Sequence, residues 1–241
     1  MSGSLPGITF LLLFVLFQAC SPKYYVPNVQ NVPMITQKGQ FNGSVAGNDH
    51  QFDLQGAYGL SRNAALQINS AWYMPNNNGD GDGSGGLLEA GVGYFRNPET
   101  WFMWDVYGLL GLGAMKNEFP ASAAEYPGTT GKISANLIRA GIQPSLNLYS
   151  KYFSVSLSSR VVGLQYTNIR GDLIFSSENQ PQYLRNNQTQ LLVEPALTLR
   201  AGIKKLKIQL QILRSINVFD EGFRQDKALL SIGLNFNFAK G

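Results

Sequence analysis

The stretch that decides the fold is Ala228-Leu229-Leu230-Ser231-Ile232-Gly233-Leu234-Asn235-Phe236-Asn237-Phe238, near the end of the chain. From Leu230 onward, every apolar residue is followed by a small or polar one. Successive side chains of a β-strand point to opposite faces of the sheet. This period of two therefore predicts a strand with one apolar face and one polar face.

The same period recurs in nine earlier segments. They lie at about 39–46, 52–58, 66–73, 88–95, 102–115, 138–148, 153–161, 191–200 and 206–212. An even number of antiparallel strands can close into a cylinder that has no exposed edge. We therefore predict an all-β fold, an antiparallel up-and-down transmembrane β-barrel of about ten strands.

The polar faces of these segments carry acids and bases in equal number. They are Asp53, Glu89, Asp105, Glu194, Arg139, Arg160, Arg200 and Lys207. Balanced opposite charges suit mutual neutralisation in a narrow lumen better than a solvated outer surface. We expect these residues to form a lumen charge network that plugs the barrel, while the apolar faces turn to lipid.

Aromatic residues gather at the ends of the segments, as in the interfacial girdles of membrane barrels. They are Tyr94, Phe95, Trp101 to Trp104, Tyr152, Phe153, Phe236 and Phe238 at one end, and Trp72 and Tyr73 at the other. Short turns alternate with long loops, which lie at 75–86, 116–132, 167–187 and 217–226. Long loops are typical of the outside and short turns of the periplasm, so both chain ends are expected on the periplasmic side.

Composition narrows the class further. The 241-residue chain contains 14% charged residues, 12% aromatic residues and 26 glycines, which favours many short strands over a helical bundle. Beyond the N-terminal leader, no run approaches the roughly 20 apolar residues of a membrane helix. The net charge of +4 comes from scattered bases. Because nucleic-acid binding needs a clustered basic patch, nucleic acid is not expected as a partner. The partners expected from the predicted barrel are outer-membrane lipids.

The N-terminus carries an export signal that ends at the only cysteine, Cys20. The apolar run from Ile8 to Phe17 has the length of a signal-peptide core and is too short to span a bilayer. Cys20 follows Ala19, as the acylated cysteine of a lipoprotein does. We predict a signal peptide at 1–19, a lipidated tether at 20–37 and a barrel at 38–241, with the lipid on the periplasmic side. The alternative is an ordinary secretory signal with an incidental cysteine.

Several short motifs resemble those of small outer-membrane β-barrel lipoproteins of Bacteroidota. They are the lipobox ending at Cys20, Tyr25-Val26-Pro27-Asn28, Asn31-Val32-Pro33 and Glu194-Pro195-Ala196-Leu197-Thr198-Leu199-Arg200. The resemblance covers the whole chain. It implies an outer-membrane location and a barrel architecture, and it supplies no catalytic residues or ligand.

His50 is the only histidine and therefore the first candidate for a general base. A lipid-processing enzyme would need a Ser or a carboxylate beside it, and Ser44 and Asp49 are the nearest in sequence. Neighbours in a strand point to opposite faces, so Asp49 is not expected to share its direction. A surface-loop histidine is the simpler interpretation.

The Gly-rich stretch from Asn76 to Glu89 contains an alternation of oxygen ligands. Asn78, Asp80 and Asp82 occupy the first, third and fifth positions of a pattern typical of calcium loops. Such loops are normally flanked by helices, whereas strands are predicted on both sides of this one. A solvated hairpin loop is the alternative, and calcium would be the only metal that the sequence suggests.

Together these features predict an outer-membrane β-barrel lipoprotein with a plugged lumen and no enzymatic activity. Its role would be structural, or would involve binding an envelope protein through the outside loops or the barrel wall. Two rival classes are the enzyme based on His50 and a soluble carrier of lipocalin type. The carrier would require Leu230, Ile232 and Leu234 to point inward around a cavity.

Overall fold

The computed structural model of the protein describes residues 21–75 and 82–238, with only the backbone of Asp82. Its strands are β1 (Phe41–Gly47), β2 (Gln51–Gly59), β3 (Ala64–Tyr73), β4 (Asp82–Arg96), β5 (Phe102–Glu118), β6 (Lys132–Tyr149), β7 (Phe153–Gly171), β8 (Ile174–Phe175), β9 (Glu178–Asn179), β10 (Thr189–Gly202), β11 (Leu206–Arg214), β12 (Ile216–Asn217) and β13 (Ala228–Phe238). Two short helices, α1 (Pro120–Glu125) and α2 (Gln180–Asn186), lie in the connections. No helix in these ranges is long and apolar enough to cross a bilayer.

Ten of the strands in the described ranges form a closed antiparallel barrel. They follow one another in the order β1 to β7, β10, β11 and β13, each pairing with the next. β13 then pairs with β1, from Phe41 opposite Phe238 to Gly47 opposite Ile232, and this pairing closes the sheet. β12 continues the line of β11 along β10, and β8 and β9 form a separate small hairpin. The predicted ten-stranded up-and-down barrel is confirmed.

The barrel is apolar on the outside and polar on the inside. Leu110, Leu112 and Ile232 are 70%, 66% and 65% exposed, whereas Glu89 and Arg139 are 1% exposed. A soluble protein shows the opposite distribution, because its apolar side chains leave water and its charges remain in it. Leu230 and Leu234 also point outward, so the lipocalin-type alternative is wrong.

Exposed aromatic residues lie at both ends of the barrel wall. At the end with the short turns, Tyr94 and Trp104 approach each other to 5.6 Å between ring centroids, and Tyr152 is exposed on the same rim. At the other end, the rings of Phe52 and Trp72 are 5.7 Å apart. The two groups have the positions of interfacial girdles.

The long loops are shorter than the sequence predicts, because the strands extend into them. β4 begins at Asp82 and β5 runs to Glu118, both inside stretches that were expected to be loops. The connection after β7 folds into β8, β9 and α2, and the side chain of Asn179 accepts a hydrogen bond of 2.9 Å from the N–H of Gln182 to begin that helix. The ordered loops cover the barrel end at which they lie.

The N-terminal segment differs from the prediction most. Residues 20–37 were expected to form a lipidated tether on the periplasmic side of the barrel. Instead, every residue from Tyr24 to Ile35 except Val26 is buried, and this stretch, the lumen segment, runs through the inside of the barrel. Its polar groups find their hydrogen-bond partners on the inner wall, which an external tether could not reach. The start of β1 and the end of β13 lie at the short-turn end of the barrel, as predicted for the two chain ends. The chain before β1, however, comes from the other end.

Candidate functional site in the barrel lumen

The lumen segment passes from one end of the barrel to the other. Near its start, the N–H of Tyr24 donates to the carbonyl of Arg224 over 2.8 Å, and Lys23 forms an ion pair of 2.5 Å with Asp226. Both partners belong to the long loop before β13. Beyond its other end, the side chain of Asn97, in the turn after β4, donates to the carbonyl of Thr36 over 2.8 Å. The chain therefore enters at the long-loop end and leaves at the short-turn end.

The length of the segment fits this passage. An extended chain advances about 3.3 Å per residue, so the twelve steps from Tyr24 to Thr36 span at most about 40 Å. The hydrocarbon core of a bilayer is about 30 Å thick. A single extended segment of this length therefore suffices to cross the barrel from rim to rim.

The backbone of the lumen segment is satisfied mainly by side chains of the barrel. The N–H of Val29 donates to Asp53 over 3.1 Å, and the N–H of Gln30 donates to the side-chain oxygen of Gln211 over 2.7 Å. The carbonyls of Asn28, Val29, Asn31 and Val32 accept from Arg160, Gln55, Gln143 and Arg200, respectively. A buried backbone group without a partner is costly, so these side chains hold the segment in one position.

Two ion pairs form the centre of the lumen. Arg139 of β6 and Glu89 of β4 approach to 2.5 Å, and Arg160 of β7 and Glu194 of β10 to 2.6 Å. A longer contact of 3.9 Å between Arg160 and Glu89 joins the pairs. All four side chains are completely buried. Such charges are tolerated away from water only where each has an opposite charge and further hydrogen bonds.

The strand register explains how these charges meet. Arg160 and Glu194 lie directly opposite each other on β7 and β10. Glu89 lies opposite Gly111 on β5, and Gly111 in turn lies opposite Arg139 on β6. Because Gly111 has no side chain, the Glu89 carboxylate can reach across β5 to the guanidinium.

The lumen segment completes this network. The Tyr25 hydroxyl accepts a hydrogen bond of 2.9 Å from Arg139 and donates one of 2.9 Å to Glu194. The side-chain oxygen of Asn28 accepts a further bond of 2.9 Å from Arg139. The segment and the barrel wall therefore share one buried polar network, in which neither is satisfied without the other.

The other four predicted network residues lie elsewhere. Asp53 is buried and bonds the segment and Gln51, and Asp105 accepts from Asn147 over 3.0 Å. Arg200 donates to the carbonyl of Val32, and Lys207 lies near the short-turn rim. No ion pair within 4 Å links these four in the described part of the chain. Of the eight predicted residues, Glu89, Arg139, Arg160 and Glu194 therefore form the ion pairs of the lumen. Asp53 and Arg200 bond the lumen segment instead.

The long-loop end of the lumen is covered by an aromatic cluster. Phe223 stacks on Tyr183 of α2 at 6.4 Å and lies 6.2 Å from Tyr24. The guanidinium of Arg224 lies over the rings of Tyr183 and Phe175 at 5.1 and 5.2 Å. Burial in this cluster raises the pKa of Tyr183. The loops therefore form a packed cover over the start of the lumen segment.

A second contact joins the β5–β6 connection to the chain that follows β7. The Thr130 hydroxyl and N–H donate to the Asp172 carboxylate over 2.7 and 2.8 Å, which lowers the pKa of Asp172. A carboxyl whose pKa is lowered by folding contributes stability above its ordinary pKa and loses that contribution as the pH falls through the lowered value. The contact therefore persists at neutral pH.

His50 lies in the turn between β1 and β2, away from the lumen. Its Nε2 lies 2.9 Å from the Asp49 carboxylate, contrary to the expectation that the two would diverge, because a turn does not follow strand alternation. Ser44 is buried inside the barrel and donates to Gln55 over 2.7 Å. The structure therefore gives His50 a carboxylate but separates it from the serine that was considered with it.

Two predicted sites fall wholly or partly outside the described residues. Cys20, Asn78 and Asp80 lie there, as does the side chain of Asp82. The lipidation site and the calcium loop therefore stay predictions. The backbone at Asp82 begins β4 and pairs with Glu118.

Sequence reasoning missed the residues that fill the lumen. Asn28, Gln30 and Asn31 each bond the inner wall, yet they follow no period of two. The available signal was composition, since the stretch alternates amides with valines and prolines and has no charge after Lys23. Such a stretch is polar enough to bond a lumen and lacks the charges typical of a solvated linker.

Comparisons with known proteins give no family. No family model matches the chain, and no curated protein matches it. Among solved structures it is similar to a KdgM porin, with 9% identity and a TM-score of 0.37 over 83% of this chain and 99% of that one. It is also similar to LpxR from Salmonella typhimurium, with 11% identity and a TM-score of 0.35 over the same shares of the two chains.

Proposed function

We propose that the protein is an outer-membrane β-barrel lipoprotein whose lumen is permanently filled by its own N-terminal segment. Its role is structural or lies in binding an envelope protein, and it is neither a pore nor an enzyme. The observation that carries this proposal is the buried network shared by Tyr25, Asn28 and the two central ion pairs.

Membrane insertion is supported by the distribution of polarity. Bands of exposed Leu, Ile and Val encircle the wall, and exposed aromatic residues border them at both ends. In lipid, a closed barrel satisfies all of its backbone groups internally, and this one has no unpaired strand edge in the described ranges. The resemblance to barrel lipoproteins of Bacteroidota agrees with this location.

A filled lumen argues against transport. The segment passes through the centre of the barrel, and the cluster of Tyr24, Tyr183 and Phe223 covers one end. Opening a path for ions would require the segment to move, which would break the hydrogen bonds between its side chains and the buried ion pairs. A partner would therefore bind to the outer surfaces of this protein and not inside its lumen.

The path of the segment also changes the expected side of the lipid. Lys23 and Tyr24 lie against the long loops, so an acyl group on Cys20, three residues before Lys23, belongs at that end of the barrel. If long loops face outward, the lipid inserts in the outer leaflet and not on the periplasmic side. The lipid and the ordered loops then lie on the same face, which makes that face the surface for an envelope partner.

We expect an epitope inserted after Ser21 to be detected by antibody on intact cells. An epitope placed after Gly241 should be detected only in lysed cells, because β13 ends at the short-turn side. Radiolabelled palmitate should label the unaltered chain and not Cys20→Ala. Recovery of the protein in the soluble fraction would contradict membrane insertion, and detection of only the C-terminal epitope on intact cells would reverse the orientation.

A further inference from the structure

We propose that the short-turn mouth of the barrel is a binding site for phosphate groups. The mouth contains a cavity of about 370 Å³ beside the end of the lumen segment. Its wall includes the cationic side chains of Lys151, Arg200, Lys204, Lys205 and Lys207. The volume of this cavity is many times that needed for a single water molecule, and the cavity opens at the rim of the barrel.

The charge of this wall has one sign. Five of its residues are cationic, and none is acidic. Three of the lysines come from the β10–β11 turn and the start of β11, and Lys151 comes from the neighbouring β6–β7 turn. Like charges held this close repel one another, so a bound anion would stabilise the arrangement.

Arg200 distinguishes the cavity from a group of surface lysines. It is 2% exposed, and it donates to the Val32 carbonyl over 2.7 Å and to Gln209 over 2.8 Å. Its Nη2 has no hydrogen-bond partner among the described residues. A buried guanidinium N–H without an acceptor is costly, and an oxyanion in the cavity would supply one.

The barrel's own acids do not fill this role. Asp105 acts electrostatically on Arg200, but it accepts its hydrogen bond from Asn147 and is not part of the cavity wall. The central ion pairs lie deeper and satisfy each other. The lysines of the mouth therefore have no acidic partner in the cavity wall.

Phosphate fits this wall better than a single carboxylate. It carries up to two negative charges and several acceptor oxygens in a small volume, and both Arg and Lys bind it well. The side-chain amide of Asn237, whose oxygen accepts from Gln40, can donate its N–H groups to a remaining oxygen. The source of the phosphate is either a lipid headgroup of the adjacent leaflet or a soluble phosphate ester.

The test uses the purified mature chain in an uncharged detergent, so that it does not depend on the lipid anchor or on the side of the membrane. Titration with glycerol 3-phosphate, followed by phosphorus NMR, should show saturable binding. Lys204→Gln with Lys207→Gln should weaken it by about tenfold or more, as expected for loss of two charge-assisted contacts. The matched control, Lys116→Gln with Lys132→Gln, removes two lysines that pair with Glu118 at the other end and should leave binding unchanged.

Arg200→Gln tests the buried donor, and the lysine variants remain decisive if that variant does not fold. Nanodiscs containing phosphatidylglycerol should displace glycerol 3-phosphate if the source is a lipid, and should not do so if it is soluble. Binding that does not saturate, or that is weakened equally by the control pair, would overturn the proposal.

Discussion

Replacing residues 26–35 with a Gly/Ser sequence of equal length will convert the closed barrel into an ion-conducting one. The replacement removes Asn28, Gln30 and Asn31, which occupy the lumen and bond its wall. Water and ions can then enter the space and hydrate the charges that the segment now satisfies. In planar lipid bilayers the unaltered protein should show no stepwise conductance, and the variant should show clear steps.

The control replaces residues 124–128, at the end of α1 and in the loop after it, with a Gly/Ser sequence, which alters the long-loop end without touching the lumen. This variant should stay closed. Far-ultraviolet circular dichroism must show that both variants keep their strand content. Conductance by the unaltered protein, or a closed barrel in the folded lumen variant, would contradict the view that the segment plugs the barrel.

The second large effect is expected from Arg139→Met. This substitution leaves the buried Glu89 carboxylate without its closest cation and removes donors from Tyr25 and Asn28. Breaking a buried ion pair by removing one partner costs about 3–5 kcal/mol, because the remaining charge is no longer compensated. Urea unfolding of the detergent-solubilised barrel should show the free energy of unfolding reduced by that amount.

The matched control is Lys132→Met, which removes a cation from an exposed pair with Glu118. Its effect should be far smaller, because water already screens that pair. The double variant Glu89→Gln with Arg139→Met should recover part of the lost stability, since it removes the uncompensated charge. Equal losses for Arg139→Met and Lys132→Met would show that the central ion pair does not carry the stability assigned to it.

The strand pattern was predictable because it depends on neighbours in sequence. The spacing of Leu230, Ile232 and Leu234 alone predicts that they share one face of a strand, and the structure places all three on the outside of the barrel. The pattern also identified the inward-facing charges. It did not identify their partners, because Glu89 meets Arg139 only through the register that sets Gly111 between them.

The lumen segment could not be located from its own sequence. Its contacts join residues that are very far apart along the chain, such as Gln30 and Gln211, separated by 181 positions. Pro27 and Pro33 suit an extended chain that forms no regular ladder, and an external tether would have the same composition. The distinction depends on whether the barrel interior offers matching donors and acceptors, which becomes visible only when the strands are closed.

The turn at His50 shows that the direction of side chains could not be predicted from strand alternation at a strand end. Strand alternation predicts that Asp49 and His50 point apart, whereas the turn brings the carboxylate to within 2.9 Å of Nε2. Period-two reasoning holds inside strands and fails at the residue where a strand ends.

The central claim is that residues 24–35 lie inside the barrel formed by the rest of the chain. The Asn31 side chain donates to the Asn69 side chain over 2.8 Å on the inner wall, whereas neighbouring Ile68 faces outward and is 56% exposed. In a Cys20→Ala background without other thiols, Asn31→Cys with Asn69→Cys should form an intramolecular cross-link with a short bifunctional thiol reagent in intact membranes. Asn31→Cys with Ile68→Cys should not. Cross-linking of neither pair in the folded barrel, or of both equally, would contradict the threaded lumen.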